Sequence, residues 1–106
     1  MRTVNPDIIR NLIERIVTAA HPIRIILFGS AARGEMGPDS DIDIMVVMPD
    51  GVRRLDILRH LYRQMLGFGH PVDIVVVTSG ALKQHKNNIG LIYPRVLAEG
   101  KEIYAA

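Results

Sequence analysis

Apolar residues along this chain recur at two spacings, and their alternation predicts a set of elements. In residues 6–20, Ile8, Ile9, Leu12, Ile13, Ile16, Val17 and Ala20 fall at helical intervals and form one stripe. Asn5 can cap this helix, Pro6 suits its first position, and His21-Pro22 ends it. Residues 23–28, IRIILF, are a β-branched apolar run of strand length. Residues 41–48, DIDIMVVM, and 72–78, VDIVVVT, read as two further strands. Between them, residues 52–66 read as a helix with Leu55, Leu58, Leu61, Tyr62, Met65 and Leu66 inward and Asp50 as a candidate cap. A short helix is expected from about Gly80 with Ser79 capping it, another over 88–98 ending at Gly100, and EIY as a small edge strand.

The order is therefore α-β-β-α-β-α with a short tail. The first two strands are joined by only about a dozen residues, which permits an antiparallel pair or a short crossover. The expected fold is α/β (α+β): a mixed sheet with helices on one or both faces. The 106 residues suit a single domain over 1–106. With 48% apolar residues and a mean hydropathy of +0.17, a packed core is expected and disorder is not.

Charge narrows the function classes. Thirteen basic residues stand against eleven acidic ones, too weak an excess for a dedicated nucleic-acid binder. The densest basic stretch, Arg53, Arg54, Arg59, His60 and Arg63, contains Asp56 and reads as a solvated or partner-facing surface. There is no cysteine, so disulfide and thiol chemistry are excluded. The N-terminal segment lacks the pattern of a signal peptide, and no apolar run has the length to cross a bilayer. The expectation is a cytoplasmic chain without membrane contact.

Three local features carry candidate chemistry. Gly29-Ser30 stands where a strand ends and a helical turn begins. Glycine lets a phosphate approach the backbone, and amide and hydroxyl donors can face the anion. Taken alone, the pair also fits an ordinary strand-ending turn. Ten residues further on, Asp41 and Asp43 lie two apart, so a strand would put both carboxylates on one face. Their repulsion is relieved by a divalent cation, and an all-oxygen set suits Mg²⁺. A solvated strand start is the alternative. Asp73 opens the third strand and faces away from Val72, Ile74 and Val76. If the two strands are neighbours, it completes a set of three carboxylates able to hold two metals; otherwise it is a turn aspartate. Gly-Ser, a ten-residue gap and Asp-x-Asp should coincide by chance about once in a thousand chains of this length.

The segment LFGSAARGEMGPDSDIDIMVV resembles the defining motif of the minimal nucleotidyltransferase (MNT) family, within the DNA polymerase β superfamily, and HPVDIVVV is similar to that family's third-carboxylate strand. The likeness runs from the first helix to the AEGKEIY tail. It implies the polymerase β-type palm, a mixed sheet flanked by helices. It also implies triphosphate binding by Gly29 and Ser30 and magnesium held by Asp41, Asp43 and Asp73, with Asp73 a possible general base. Arg33 and Ser40 match motif positions: Arg33 to neutralise phosphate or to pair with Glu35, Ser40 to order the approach to Asp41.

The implied reaction moves a nucleoside monophosphate, AMP from ATP by resemblance, to a hydroxyl. Larger members of the superfamily carry a second domain for the acceptor, and the 106 residues are expected to hold none. The resemblance implies a HEPN-domain toxin as partner, with a tyrosine as target and this chain as antitoxin. Two other readings stand beside it: a binding module that neutralises its partner by contact, and a homodimer that modifies a small molecule such as an aminoglycoside. His21, His60, His70 and His85 are scattered and fit no competing catalytic motif.

Overall fold

The computed structural model describes residues 5–35, 37, 40–88 and 93–106. Helix α1 spans Pro6–Ala20, as its stripe predicts. The Asn5 side chain accepts from the Asp7 amide at 2.8 Å. His21 closes the helix in the left-handed region, φ 48°, its N–H donating to the Val17 carbonyl. Strand β1 (Arg24–Phe28) runs directly into the short helix α2 (Gly29–Arg33). Then follow β2 (Ile42–Met48), α3 (Arg54–Gln64), β3 (Val72–Thr78), α4 (Ser79–His85), α5 (Tyr93–Glu99) and β4 (Lys101–Ala105).

The four strands form one mixed sheet in the order β3-β2-β1-β4. β1 is antiparallel to both β2 and β4, and β2 is parallel to β3. The short link between the first two strands thus makes an antiparallel pair. The longer connection through α3 provides the crossover that a parallel pair requires.

Period-two alternation sends side chains to two faces. Ile25, Leu27, Ile42, Ile44, Val46, Ile74 and Val76 pack with Leu12 and Ile16 of α1 and Leu61 of α3. On the other face Ile26, Met45, Val47 and Val77 meet Leu82 of α4 and Val96 of α5. A sheet covered on both faces explains why its strands read as nearly unbroken apolar runs. Among the described residues, no helix is long and apolar enough to cross a membrane.

Several sequence expectations need correction. The inward side chains are Leu58 and Leu61 of α3 and Met65 at its C-cap, joined by Ile57. Leu55, Tyr62 and Leu66 are instead 55%, 41% and 80% exposed. A helix against one sheet face buries a single stripe, and Leu55 and Tyr62 flank it. Leu66 lies beyond the helix, where its carbonyl and that of Gln64 accept from Arg15 Nη1 at 3.2 and 2.7 Å. Asp50 does not cap α3, whose N-cap is Arg53 with no side-chain bond. Met48 and Thr78 are partners in the β2–β3 register, so the residues two beyond each are neighbours too, and Asp50 Oδ1 accepts from the Gly80 amide at 2.8 Å. The cap of α4 is Thr78 rather than Ser79; its hydroxyl accepts from the Ala81 amide at 3.2 Å. The helix expected over 88–98 is α5, beginning at Tyr93; Ile89, Leu91 and Ile92 lie outside the described residues.

Candidate functional site

Strand register assembles the site. Phe28 of β1 pairs with Asp43 of β2, and Asp43 pairs with Asp73 of β3. Asp43 and Asp73 share the sheet face of Met45, Val47, Val75 and Val77, the face that α4 and α5 cover. Asp41 stands one residue before β2 and is exposed. The strands are neighbours, which is the condition the sequence left open.

The turn from β1 into α2 is shaped by Gly29. Its φ of 67° is left-handed, and a Cβ there would collide with Oδ2 of Asp43 and lie 3.2 Å from its Cγ. A glycine is needed twice over, for the backbone angle and for the carboxylate packed against it. Buried Ala31 and Ala32 anchor α2 to the core. Gly34, at φ 72°, ends it with its N–H donating to the Ser30 carbonyl. Five residues thus reverse the chain and hold Gly29, Ser30 and Arg33 on one rim.

That rim borders a cavity of about 310 Å³, walled by Phe28, Gly29, Ser30, Arg33 and Asp43 and, from α5, by Arg95, Val96 and Glu99. Four of the expected site residues therefore meet in one hollow. Asp41, Asp73 and Ser40 are not among its walls. Arg33 makes ion pairs with Glu35 (Nε–Oε2, 2.8 Å) and Glu99 (Nη1–Oε2, 3.5 Å). The hydrogen bond to Glu35 leads the causes that raise its pKa, so it remains a cation. Ser40 turns toward the loop: its hydroxyl accepts from the Gly37 amide at 2.9 Å, and its own N–H donates to the Gly37 carbonyl at 3.2 Å. This reciprocal pair ties Ser40 to Gly37 immediately before Asp41 in the chain.

Asp43 is the electrostatic centre. Partial burial pushes its pKa up, the charges of Asp73 and then Asp41 push it further, and Arg33 opposes them. Asp43 therefore feels the charge of both other carboxylates. Among the described residues, no three His, Cys, Asp or Glu side chains close up into a ready-made metal cage. The donor set is nevertheless all oxygen and mutually repulsive, which fits a hard divalent cation completed by phosphate oxygens and water.

Sequence reasoning missed two kinds of residue. Tyr62 reaches around the open edge of β3, where its hydroxyl accepts from the Ile74 amide at 3.0 Å and donates to Asp73 Oδ1 at 3.4 Å. A lone tyrosine in an apolar helical stripe gives no signal of this. Arg95 and Glu99 enter the cavity from α5; their only local trace is an i,i+4 spacing of opposite charges.

Comparison with known proteins agrees with this fold. The family model described as "Nucleotidyltransferase domain" matches residues 9–96. A candidate protein adenylyltransferase of Methanocaldococcus jannaschii is 39% identical over 56 residues, which take in 53% of this chain and 60% of that protein. Among solved structures, a nucleotidyltransferase candidate from Sulfolobus solfataricus superposes with a TM-score of 0.64 at 20% identity, covering 93% of this chain and 78% of that one. A toxin–antitoxin structure with AMP-PNP gives 0.63 at 20% identity over 92% of this chain and 73% of that one. A mutant of the toxin–antitoxin pair MntA–HpeT gives 0.56 at 19% identity over 97% and 75%. At these identities the structures show a shared fold.

Proposed function

The chain belongs to the nucleotidyltransferase domain family, and from that premise we propose that it transfers AMP from ATP to a hydroxyl of a partner protein, a tyrosine of a HEPN-domain toxin, and so acts as an antitoxin. The observation that carries the reaction class is the contact between Gly29 and Asp43 at the mouth of the cavity. It sets a phosphate-accepting turn directly against a carboxylate whose charge is disfavoured by partial burial and by two others. The toxin–antitoxin neighbours, one of them with the ATP analogue AMP-PNP, support the choice of donor and of a protein partner.

In this reading the Gly29-Ser30 turn and Arg33 hold the triphosphate in the cavity. The acceptor oxygen attacks the α-phosphorus in line. A bond forms from that oxygen to phosphorus, the bond to the bridging oxygen of the β-phosphate breaks, and pyrophosphate leaves. The hydroxyl proton passes to the Asp73 carboxylate. Positioning and charge neutralisation supply the catalysis, with no covalent intermediate on the protein. Asp41, Asp43 and Asp73 would hold Mg²⁺, which neutralises charge on the triphosphate and lowers the pKa of the attacking hydroxyl. Tyr62 steadies Asp73.

The test combines the chain, its HEPN partner, ATP and Mg²⁺ and reads the partner's intact mass. A gain of one or more AMP groups that disappears with Asp41→Asn is expected. An unmodified partner, or the same modification with Asp41→Asn, overturns the reading. Full inhibition of the partner by an Asp41→Asn, Asp43→Asn double variant without ATP would favour neutralisation by contact.

A further inference from the structure

One carboxylate in the cavity has no place in that scheme. Glu99 is the last residue of α5, and its Oε2 is shared by two guanidiniums: Arg33 Nη1 at 3.5 Å and Arg95 Nε at 3.4 Å. All three side chains line the cavity beside Gly29, Ser30 and Asp43. Local helix energetics do not account for the arrangement. A carboxylate at a helix C-terminus faces the negative end of the dipole, and arginine four residues before glutamate is the weaker order of such a pair.

Tertiary structure holds Glu99 there. The next residue, Gly100, donates its N–H to the Val96 carbonyl at 2.7 Å. A Cβ on Gly100 would collide with that carbonyl, and no side chain larger than hydrogen fits between α5 and β1 at Ile26. The end of α5 is thereby pinned against the sheet, with Glu99 aimed at Arg33.

We propose that Glu99 is a placeholder for phosphate: its carboxylate occupies the anion position between Arg33 and Arg95 until a triphosphate displaces it, and Arg95 then joins Arg33 in binding the nucleotide. The inference rests on the proposed nucleotide site and adds to it a second arginine and an internal competitor. Both Glu99 contacts are longer than the 2.8 Å pair between Arg33 and Glu35, and both arginines are exposed to solvent, so the competitor is weak enough to yield. A triphosphate brings more negative charge to the same two guanidiniums and can engage them through several oxygens. The competition lowers nucleotide affinity without blocking it.

The test is calorimetric titration of the purified full chain with AMP-PNP and, separately, with inorganic tripolyphosphate, both with Mg²⁺ in the buffer. Glu99→Gln keeps the shape and removes the charge, and it should bind both probes about three- to ten-fold more tightly. Arg95→Ala should bind both several-fold more weakly, and Arg95→Lys should recover part of the loss. Glu102→Gln is the control for net charge, since Glu102 pairs with Arg24 at 2.6 Å away from the cavity. Circular dichroism confirms that each variant is folded. The proposal is overturned if Glu99→Gln binds no more tightly than Glu102→Gln, or if Arg95→Ala binds like the parent. Tighter binding in Glu99→Gln alongside no AMP transfer to any partner would sink the transfer reading and leave this one standing. No binding of either probe to the parent chain or to Glu99→Gln sinks both.

Discussion

Asp43 and Asp73 sit opposite one another in the register of the parallel strands β2 and β3, on the face that α4 and α5 cover. Parallel pairing with no offset at this point is what makes them repel. Burial, Asp73 and Asp41 together raise the pKa of Asp43 above its ordinary 3.8. In the metal-free protein, Asp43→Asn removes that repulsion. It should leave stability at neutral pH unchanged or raised by under about 1 kcal/mol, because the group is partly exposed to solvent, and so should not lower the melting temperature. Millimolar Mg²⁺ with AMP-PNP should raise the melting temperature of the parent and not of the variant. A large fall in the metal-free melting temperature would instead make Asp43 a structural residue.

The same shift fixes a pH dependence. The folded chain holds the Asp43 proton more tightly than the unfolded chain does. Stability from this group is therefore greatest at low pH and is lost as pH rises from the ordinary carboxylate value through the raised folded-state value. Melting curves without metal should show the parent losing ground to Asp43→Asn across that window. A parent that gains on the variant there would reverse the sign.

Gly29→Ala should damage both fold and site. The left-handed backbone and the collision with Asp43 together should cost about 1–3 kcal/mol. Nucleotide binding should be lost even at temperatures where the variant remains folded. Thermal melting followed by titration with AMP-PNP separates the two effects, and normal binding would refute the close approach as a requirement.

Tyr62→Phe keeps the ring and removes one hydroxyl. The Ile74 amide loses its acceptor and Asp73 its donor, at about 0.5–1.5 kcal/mol. Because Tyr62 does not line the cavity, nucleotide affinity should hold while the rate of AMP transfer falls. A change in affinity with an unchanged rate would contradict the role given to Asp73.

Asp50→Ala is the contrasting case. It leaves the Gly80 amide without its 2.8 Å acceptor at the start of α4 and should cost about 0.5–2 kcal/mol. Denaturant unfolding should show that loss, and titration should show unchanged nucleotide affinity.

Local patterning was enough wherever neighbours in sequence decide the outcome. The span of α1 and its Asn5 cap follow from residues 5–21 alone. β3 follows from a β-branched run with the bounds Val72–Thr78. The α3 side chains were read less well. Leu55 is as apolar as Leu58 and Leu61, the Tyr62 ring falls at the same helical spacing, and only the sheet that α3 meets determines which stripe is buried. Asp50 was misplaced for a similar reason, since its partner lies thirty residues away and is brought near by the parallel pairing of β2 and β3.

The sequence by itself determined the candidate chemistry. Gly29, Ser30, Asp41 and Asp43 lie within one short stretch, so their spacing carries the signal without help from the rest of the chain. Only the tertiary structure decided their company. Asp73 joins Asp43 through strand register, Tyr62 joins Asp73 around a sheet edge, and Arg95 and Glu99 reach Arg33 from a helix more than sixty residues further on. Periodicity records which way a side chain faces along its own element. It holds no record of which element lies opposite, because that depends on how the apolar faces bury one another.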